Sequence, residues 1–233
     1  MLIEDRWAHL RELTAARIAL GRAGHSLPTA ELLAFQLAHA RARDAVHRSL
    51  DLGRFRALDP VPLHSEAADR DTYLRRPDLG RKLAPDSAGR LARGDWDAVI
   101  VIADGLSAAA VEQSAVAFVE ALRCKLPEWR FARVCVVHQG RVAIADEIGE
   151  RLGARLAVIL IGERPGLSSP ESMGAYLTWH PRVGRTDAER NCISNIRAGG
   201  LAADHAARRA AEMMLAAREQ RITGVRLRLL AAP

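Results

Sequence analysis

Cysteine, lysine and aromatic residues are all scarce in this sequence. Its 233 residues include three cysteines, two lysines, four phenylalanines, two tyrosines and four tryptophans. The three cysteines, Cys124, Cys135 and Cys192, form no C-x-x-C pair, which argues against a zinc site and fits a reducing cytoplasm. Cys135 stands in an apolar run, where a thiol commonly packs as a small hydrophobic side chain. A core of this size needs no disulfides.

The basic charge of the chain lacks the pattern that is typical of nucleic-acid binding. The formal net charge is +6, and among the 34 basic residues only Lys82 and Lys125 are lysines. The arginines are scattered among alanines and acids and nowhere form a dense basic run. The few aromatic residues form no cluster on which bases could stack. We therefore expect no nucleic-acid partner.

Long apolar runs are also missing from the sequence. The longest, Ala98–Ala103 and Leu156–Ile161, fall far below the roughly 20 residues that a membrane span requires. Residues 1–24 carry acids and arginines throughout, which is not typical of a secretory signal. These observations predict a cytoplasmic protein that does not enter a membrane.

The first part of the chain has the pattern of a mostly helical region. Trp7, Leu10, Leu13 and Ile18 recur at roughly helical spacing, and a second helix is predicted to begin at Pro28-Thr29. The sequence from 59 to 62 contains two prolines and breaks this pattern, and residues 63–94 are polar, as expected for loops and short helices. We predict a small helical N-terminal region over residues 1–94.

From Trp96 onward the pattern changes to alternating strands and helices. Three apolar runs rich in β-branched residues have the composition of strands buried on both faces, and amphipathic helices are predicted after the first two. These runs are Asp97–Ala103, Ala132–Val137 and Arg155–Ile161. A further strand is predicted at Ala175–Trp179 and a last helix at Ala203–Arg221. The pattern predicts an α/β fold in which residues 95–233 form a Rossmann-like parallel sheet domain with right-handed crossovers.

The turns that follow the three strands indicate where a ligand would bind. They read DGLS, HQGR and GERPG, and the carboxyl ends of parallel strands share one edge of the sheet, where such folds bind ligands. In GERPG, Glu163 has two interpretations: a surface ion pair with Arg164, or a carboxylate that accepts hydrogen bonds from a ligand. Cys192 lies in a polar stretch, residues 184–195, and is either a buried structural thiol or part of a ligand-facing loop.

No motif marks a catalytic or metal-binding residue. The dinucleotide fingerprint G-x-G-x-x-G, the P-loop pattern and the G-x-S-x-G elbow are missing. His47, His138 and His180 are isolated, without H-x-x-x-H spacing. We therefore predict neither catalytic nor metal-binding residues in this chain.

Six distinctive strings run from near the start of the chain to the last predicted helix. They are ARIALGRAG (Ala16–Gly24), YLRRPDLGR (Tyr73–Arg81), IADGLS (Ile102–Ser107), GRVAIADEIGERLGA (Gly140–Ala154), IGERPGLSSPES (Ile161–Ser172) and DAERNCISNIR (Asp187–Arg197). Together, and in this order, they resemble the small (light) subunit family of ethanolamine ammonia-lyase. RPDLGR, GERPGL and CISNI are the most specific of them in combination.

The resemblance implies a lyase subunit that binds adenosylcobalamin. The family's enzyme cleaves ethanolamine to acetaldehyde and ammonia, with a radical generated by homolysis of the cofactor's cobalt–carbon bond. The substrate site is implied to lie in the large subunit, so this chain would bind the cofactor at the interface of a hetero-oligomer and be inactive alone. The family's cobalamin contacts correspond here to Val142, Glu163 and Cys192.

Further expectations follow from the same resemblance. Residues 95–233 would be the cobalamin-binding domain, and the corrin, not this chain, would hold the cobalt. The D-x-H-x-x-G pattern of enzymes that replace the cofactor's lower base with histidine is missing, so the cofactor is expected to keep its own base. The competing hypothesis is an independent Rossmann-like enzyme that uses a nucleotide. Whether the enzyme is packaged in a bacterial microcompartment stays open.

Overall fold

A six-stranded sheet organises the computed structural model, which describes residues 2–3, 5–14 and 16–229. The strands are β1 (Leu2–Ile3), β2 (Arg22–Ala23), β3 (Val61–His64), β4 (Trp96–Ala103), β5 (Cys135–His138), β6 (Ala154–Gly162), β7 (Met173–Trp179) and β8 (Arg190–Ile196). The α-helices are α1 (Thr29–His47), α2 (Arg70–Arg75), α3 (Pro85–Ala88), α4 (Ala108–Lys125), α5 (Ile144–Leu152) and α6 (Ala203–Gln220). Short 3-10 helices cover Ala8–Leu13, Leu52–Leu58, Leu79–Arg81 and Asp187–Glu189.

The sheet is mixed, with strand order β3-β5-β4-β6-β7-β8. The first four strands in this order are parallel, whereas β7 and β8 are antiparallel to their neighbours. The change of direction has a simple cause. The chain between β6 and β7, residues 163–172, contains no helix to carry it back to the other end of the sheet. The predicted α/β class is confirmed, with two antiparallel strands added to the parallel part.

The core lies in two layers, one on each face of the sheet. On one face α4 and α6 pack against Ile100 and Ile102 of β4; on the other face α5 packs against Val99 and Val101. Strand β4 is therefore buried on both faces, as its continuous apolar run predicts. The predicted apolar stripe of α4 is also confirmed, because all four of its residues are fully buried: Val111, Ala115, Phe118 and Leu122.

The N-terminal part differs in two places from what its pattern predicts. The first predicted helix is only the short 3-10 segment Ala8–Leu13, and Ile18 lies beyond it. The break expected at 59–62 overlaps the start of strand β3, which pairs in parallel with β5. Pro62 is tolerated there because β3 is the edge strand of the sheet. The domain division at residue 94 stays a prediction.

Helix α1 begins at Thr29, as predicted, but it is unusual in its surroundings. None of its 19 residues is buried, and Leu32, Leu33, Phe35 and Leu37 are all substantially exposed. Neither α1 nor any other helix in the described part of the chain combines the length and the hydropathy needed to cross a bilayer.

Candidate functional site

The carboxyl ends of β4, β5 and β6 are connected by the DGLS turn, which begins at Asp104. The Asp104 carboxylate accepts hydrogen bonds from the backbone N–H groups of Gln139 (3.0 Å) and Gly140 (3.1 Å) in the HQGR turn. The N–H of Leu106 donates to the carbonyl of Gly162 (2.9 Å) at the end of β6. The three predicted turns therefore meet at one edge of the sheet.

This edge is closely packed backbone against backbone. A Cβ atom on Gly162 would lie 2.1 Å from the carbonyl oxygen of Ser107, so the position accepts no side chain. Gly105 has φ +54°, and a Cβ there would lie 2.3 Å from the carbonyl of Gly162. The turns after β4 and β6 can approach this closely only because both positions are glycine.

Asp104 is a positioning residue, since its side chain is almost fully buried. Burial raises the pKa of this carboxyl, while the bonds from Gln139 and Gly140 and the nearby guanidinium of Arg70 act in the opposite direction. Arg70 approaches Asp104 at 3.5 Å and donates to the side chain of Gln139 at 3.1 Å. The sequence indicates a turn at Asp104. It carries no signal that Arg70, which lies 34 residues earlier, is a partner of this carboxylate.

A second cluster joins the YLRRPDLGR and GRVAI stretches. The guanidinium of Arg141 stacks over the ring of Tyr73 at 4.1 Å, and the Tyr73 hydroxyl donates to the carbonyl of Gly140 at 3.1 Å. Gly80 lies between them: a Cβ there would be 2.8 Å from Cγ of Arg141. Burial raises the pKa of Tyr73, so its hydroxyl stays protonated as a donor. The segment before the sheet thus fixes the loop that leads to Val142.

Glu163 is half-buried at the end of β6 and is oriented by neutral donors. The hydroxyl of Ser172 donates to its carboxylate at 2.5 Å, and the N–H of Asn195 approaches the same oxygen at 3.4 Å. Among the described residues no cation pairs with Glu163, so the ion pair with Arg164 that its sequence neighbour suggests is not formed. A negative charge therefore stays available at this edge.

Cys192 lies on strand β8 and is exposed, so it is not a buried structural thiol, and this part of the polar stretch is a strand and not a loop. Strand β8 is the other edge strand of the sheet, and its residue Ile193 faces inward while Cys192 is exposed on the opposite face. A short amphipathic edge strand has too few apolar residues to show its period. The Cys192 thiol lies 3.2 Å from the hydroxyl of Ser194.

Tyr176 connects Cys192 with Glu163. It is the register partner of Cys192 on β7, and a Cβ on Gly174 would lie 3.1 Å from Oε1 of Glu163 and 3.2 Å from the Tyr176 ring. Burial, and then the neighbouring Cys192 and Glu163, raise the pKa of the Tyr176 phenol, so it keeps its proton and can donate. The sequence alone does not indicate Tyr176, because nothing in it pairs these two strands.

Val142 lies two residues before the start of α5 and is half-buried. It packs against the same hydrophobic cluster as Tyr176, which places it on the α5 face of the sheet, the face on which Cys192 is exposed. We call this surface, formed by Val142, Glu163, Gly174, Tyr176 and Cys192, the open face. The structure brings Glu163 and Cys192 together around Tyr176 and places Val142 across the same face.

A buried ion pair joins the two sides of the open face. Arg190, at the start of β8, donates to both carboxylate oxygens of Asp146 in α5, at 2.7 and 2.6 Å. It also donates to the hydroxyl of Thr178 on β7 at 2.9 Å. Both charged side chains are at most 3% exposed. The pair fixes the strand that carries Cys192 against the helix that follows Val142, a contact 44 residues apart that sequence analysis missed.

Metal-binding geometry is not found in the described part of the chain, where no three His, Cys, Asp or Glu side chains cluster.

Cys135 is buried in β5, and burial raises the pKa of its thiol to about 12. The expectation that it packs as a small hydrophobic residue is confirmed.

The fold is that of an α/β protein. Its candidate site is a surface with both polar and apolar side chains at the carboxyl edge of the parallel strands. Residues 4–228 match the family described as the ethanolamine ammonia-lyase light chain (EutC). Similar proteins include the ethanolamine ammonia-lyase small subunits of Azotobacter vinelandii (55% identity) and Pseudomonas paraeruginosa (54%), each match covering 97% of this chain and 88% of the relative. That of Xanthomonas campestris is 51% identical over 96% of this chain and 88% of its own length. The chain belongs to the ethanolamine ammonia-lyase light chain family.

Proposed function

We propose that this chain is the small subunit of an adenosylcobalamin-dependent ethanolamine ammonia-lyase and that its open face binds the cofactor. The observation that carries the proposal is the geometry of Glu163. Its carboxylate accepts a hydrogen bond from Ser172 at the sheet edge, and no cation among the described residues pairs with it. The names of the relatives support the lyase assignment. Val142, Glu163 and Cys192 are the proposed contacts, and we propose residues 95–233 as the cofactor-binding domain.

The chemistry of the open face fits cobalamin. The cofactor carries a rim of amide groups, which need both acceptors and donors. Glu163 supplies acceptor oxygens, Tyr176 a protonated phenol and Val142 an apolar contact, while Cys192 exposes a thiol. Bound adenosylcobalamin supplies the radical that starts the reaction by homolysis of its cobalt–carbon bond. This chain's residues hold the rim of the corrin and leave the cobalt to the cofactor's own ligands.

A large subunit is the proposed partner, and two surfaces support it. Cobalamin is too large for the edge turns of one sheet to enclose, so we propose that a second chain covers the other side of the cofactor. Helix α1 exposes Leu33 (58%) and Leu37 (52%) and buries none of its residues within this chain. Large exposed apolar patches of this kind commonly mark protein–protein interfaces. We propose that α1 packs against the large subunit.

Reconstitution tests the proposed activity. The purified chain is expected to produce no acetaldehyde from ethanolamine and adenosylcobalamin, because the proposed substrate site lies in the large subunit. Adding the large subunit is expected to give turnover and a cofactor absorption spectrum that co-elutes with both chains on gel filtration. Turnover by this chain alone, or separate elution of the two chains with cofactor present, would contradict the proposal.

The role of α1 is tested by placing a charge in its exposed apolar surface. Leu33→Asp is expected to reduce co-elution with the large subunit several-fold, because a carboxylate would be desolvated in the interface. Leu215→Asp on α6 is the matched control, since Leu215 is an exposed helical leucine (44%) and is expected to leave assembly intact. Equal assembly of the two folded variants would remove α1 from the proposed interface.

A further inference from the structure

A recess in the protein surface adjoins the open face at Val142. It has a volume of about 440 Å³ and is lined by four arginines and a single carboxylate, with Val142 and Ala143 on one side. The charged residues are Arg81, Arg141, Arg185, Arg190 and Asp187. They come from three of the strings that characterise the sequence, YLRRPDLGR, GRVAIADEIGERLGA and DAERNCISNIR, and from Arg185 just before the last. We call this recess the arginine cleft.

Two of the four arginines are neutralised within the protein. Arg190 is paired with Asp146, and Arg185 forms an ion pair with Glu189. Arg81 and Arg141 have no carboxylate within 4 Å among the described residues. The one carboxylate of the cleft, Asp187, is fully exposed and lies 3.5 Å from Nε of Arg190. The cleft therefore keeps an excess of positive charge.

The guanidinium of Arg141 is held in place before any ligand binds. It stacks over Tyr73, donates from Nη2 to the Tyr73 carbonyl at 3.1 Å and packs against Gly80. Its Nε is buried and has no hydrogen-bond partner among the described residues. A buried donor left without an acceptor is costly, which favours an anionic acceptor nearby.

Backbone donors complete the cleft. The N–H groups of Val142 and Ala143 have no acceptor among the described residues, whereas those of Ile144, Ala145 and Asp146 already bond to preceding carbonyls. These two free groups lie next to the start of α5, where the helix dipole favours negative charge. Free N–H groups beside a guanidinium are the donors that a phosphate group prefers.

We infer that the arginine cleft binds a phosphate group, with Arg81 and Arg141 as its charged donors. The inference rests on the proposed function, because the cleft shares Val142 with the open face and the cofactor's nucleotide tail carries a phosphodiester. That phosphodiester is the assigned ligand. Free phosphate has the same chemistry, and the experiment distinguishes the two.

The test uses the reconstituted complex and two cofactor forms. Arg81→Met is expected to raise the half-saturating concentration of adenosylcobalamin about fivefold, as loss of an exposed ion pair allows. The half-saturation of adenosylcobinamide, which lacks the phosphodiester and the base, is expected to stay unchanged. Arg209→Met on α6 is the matched control, an exposed arginine on the opposite side of the sheet that is expected to change neither value.

Two outcomes would overturn the assignment. Equal effects of Arg81→Met on both cofactor forms, or no effect on either, would show that the cleft does not hold the phosphodiester. Arg141→Lys is a second test. Lysine keeps the charge but loses the planar stacking on Tyr73, so this variant is expected to weaken the binding of adenosylcobalamin and not that of adenosylcobinamide.

A separate arm distinguishes failure of the cleft from failure of the proposed function. If the wild-type complex binds neither cofactor form, the proposed function fails and the phosphodiester is no longer the ligand. Inorganic phosphate is therefore titrated against the full chain and followed by phosphorus NMR. Line broadening that Arg81→Met removes and Arg209→Met retains supports a free-phosphate site. If phosphate shows no line broadening, and Arg81→Met does not weaken adenosylcobalamin selectively, the cleft is not a phosphate site.

Discussion

Replacing Asp146 with alanine is expected to lower the free energy of unfolding by about 3–5 kcal/mol, because it leaves the charge of Arg190 buried without its partner. The two side chains are 2% and 3% exposed and share two hydrogen bonds, so water cannot replace the lost carboxylate. Denaturant unfolding of the isolated chain, followed by circular dichroism, measures the change. The midpoint is expected to fall with little change in the slope.

A surface pair supplies the control for this experiment. Asp78→Ala removes the partner of Arg76, but both of these side chains are more than half exposed, and no measurable change is expected. The double variant Asp146→Leu/Arg190→Met is expected to recover much of the stability, since it removes both buried charges. If Asp146→Ala unfolds at the same denaturant concentration as Asp78→Ala, the pair does not hold β8 against α5.

Replacing Glu163 with alanine is expected to raise the half-saturating concentration of adenosylcobalamin at least tenfold in the reconstituted complex. Loss of a hydrogen bond to a charged group typically costs about 1.5–3 kcal/mol, which corresponds to roughly one to two decades in affinity. Turnover at saturating cofactor is expected to stay largely unchanged, because the proposed function assigns the radical chemistry to the large subunit. Titration of cofactor against initial rate separates the two effects.

The neighbouring Arg164 gives the matched control for Glu163. It is exposed and does not pair with Glu163, so Arg164→Ala is expected to leave half-saturation unchanged. Ser172→Ala is expected to have an intermediate effect, because the carboxylate loses its orienting hydroxyl but keeps its charge. Unchanged half-saturation in a folded, assembled Glu163→Ala complex would assign this carboxylate to an ordinary surface loop.

The central parallel strands β4, β5 and β6 could be predicted because their residues follow a simple pattern. A continuous β-branched run such as that of β4 is stable only when both faces are covered, and the stripe on α4 has one helical face to bury. The strands β3 and β8 could not be predicted. Pro62 in β3 is acceptable only at an edge, and β8 depends on burying Arg190, whose partner is invisible in the local sequence.

The position of the candidate site could be predicted better than its contacts. Strand direction alone brings the turns after β4, β5 and β6 to one edge, and GERPG places Glu163 there. The residues that orient these groups come from other parts of the chain. Asp104 accepts a hydrogen bond from Gly140, and Glu163 accepts from Ser172 and Asn195. No local sequence pattern fixes the path of the loops that carry these donors. Motif similarity predicts Cys192 as a contact, but its position on a strand and its neighbour Tyr176 emerge only from the pairing of β7 with β8.

The tie that Asp104 makes between the turns has a thermodynamic consequence for any ligand of this edge. Loops that are mobile before binding lose conformational entropy when they close on a ligand, and this loss weakens the complex. Here the backbone of the edge is already fixed by buried hydrogen bonds and by the glycine contacts of Gly105 and Gly162. Most of the entropy loss was incurred when the chain folded, so the free energy of each new contact is expected to appear in the affinity.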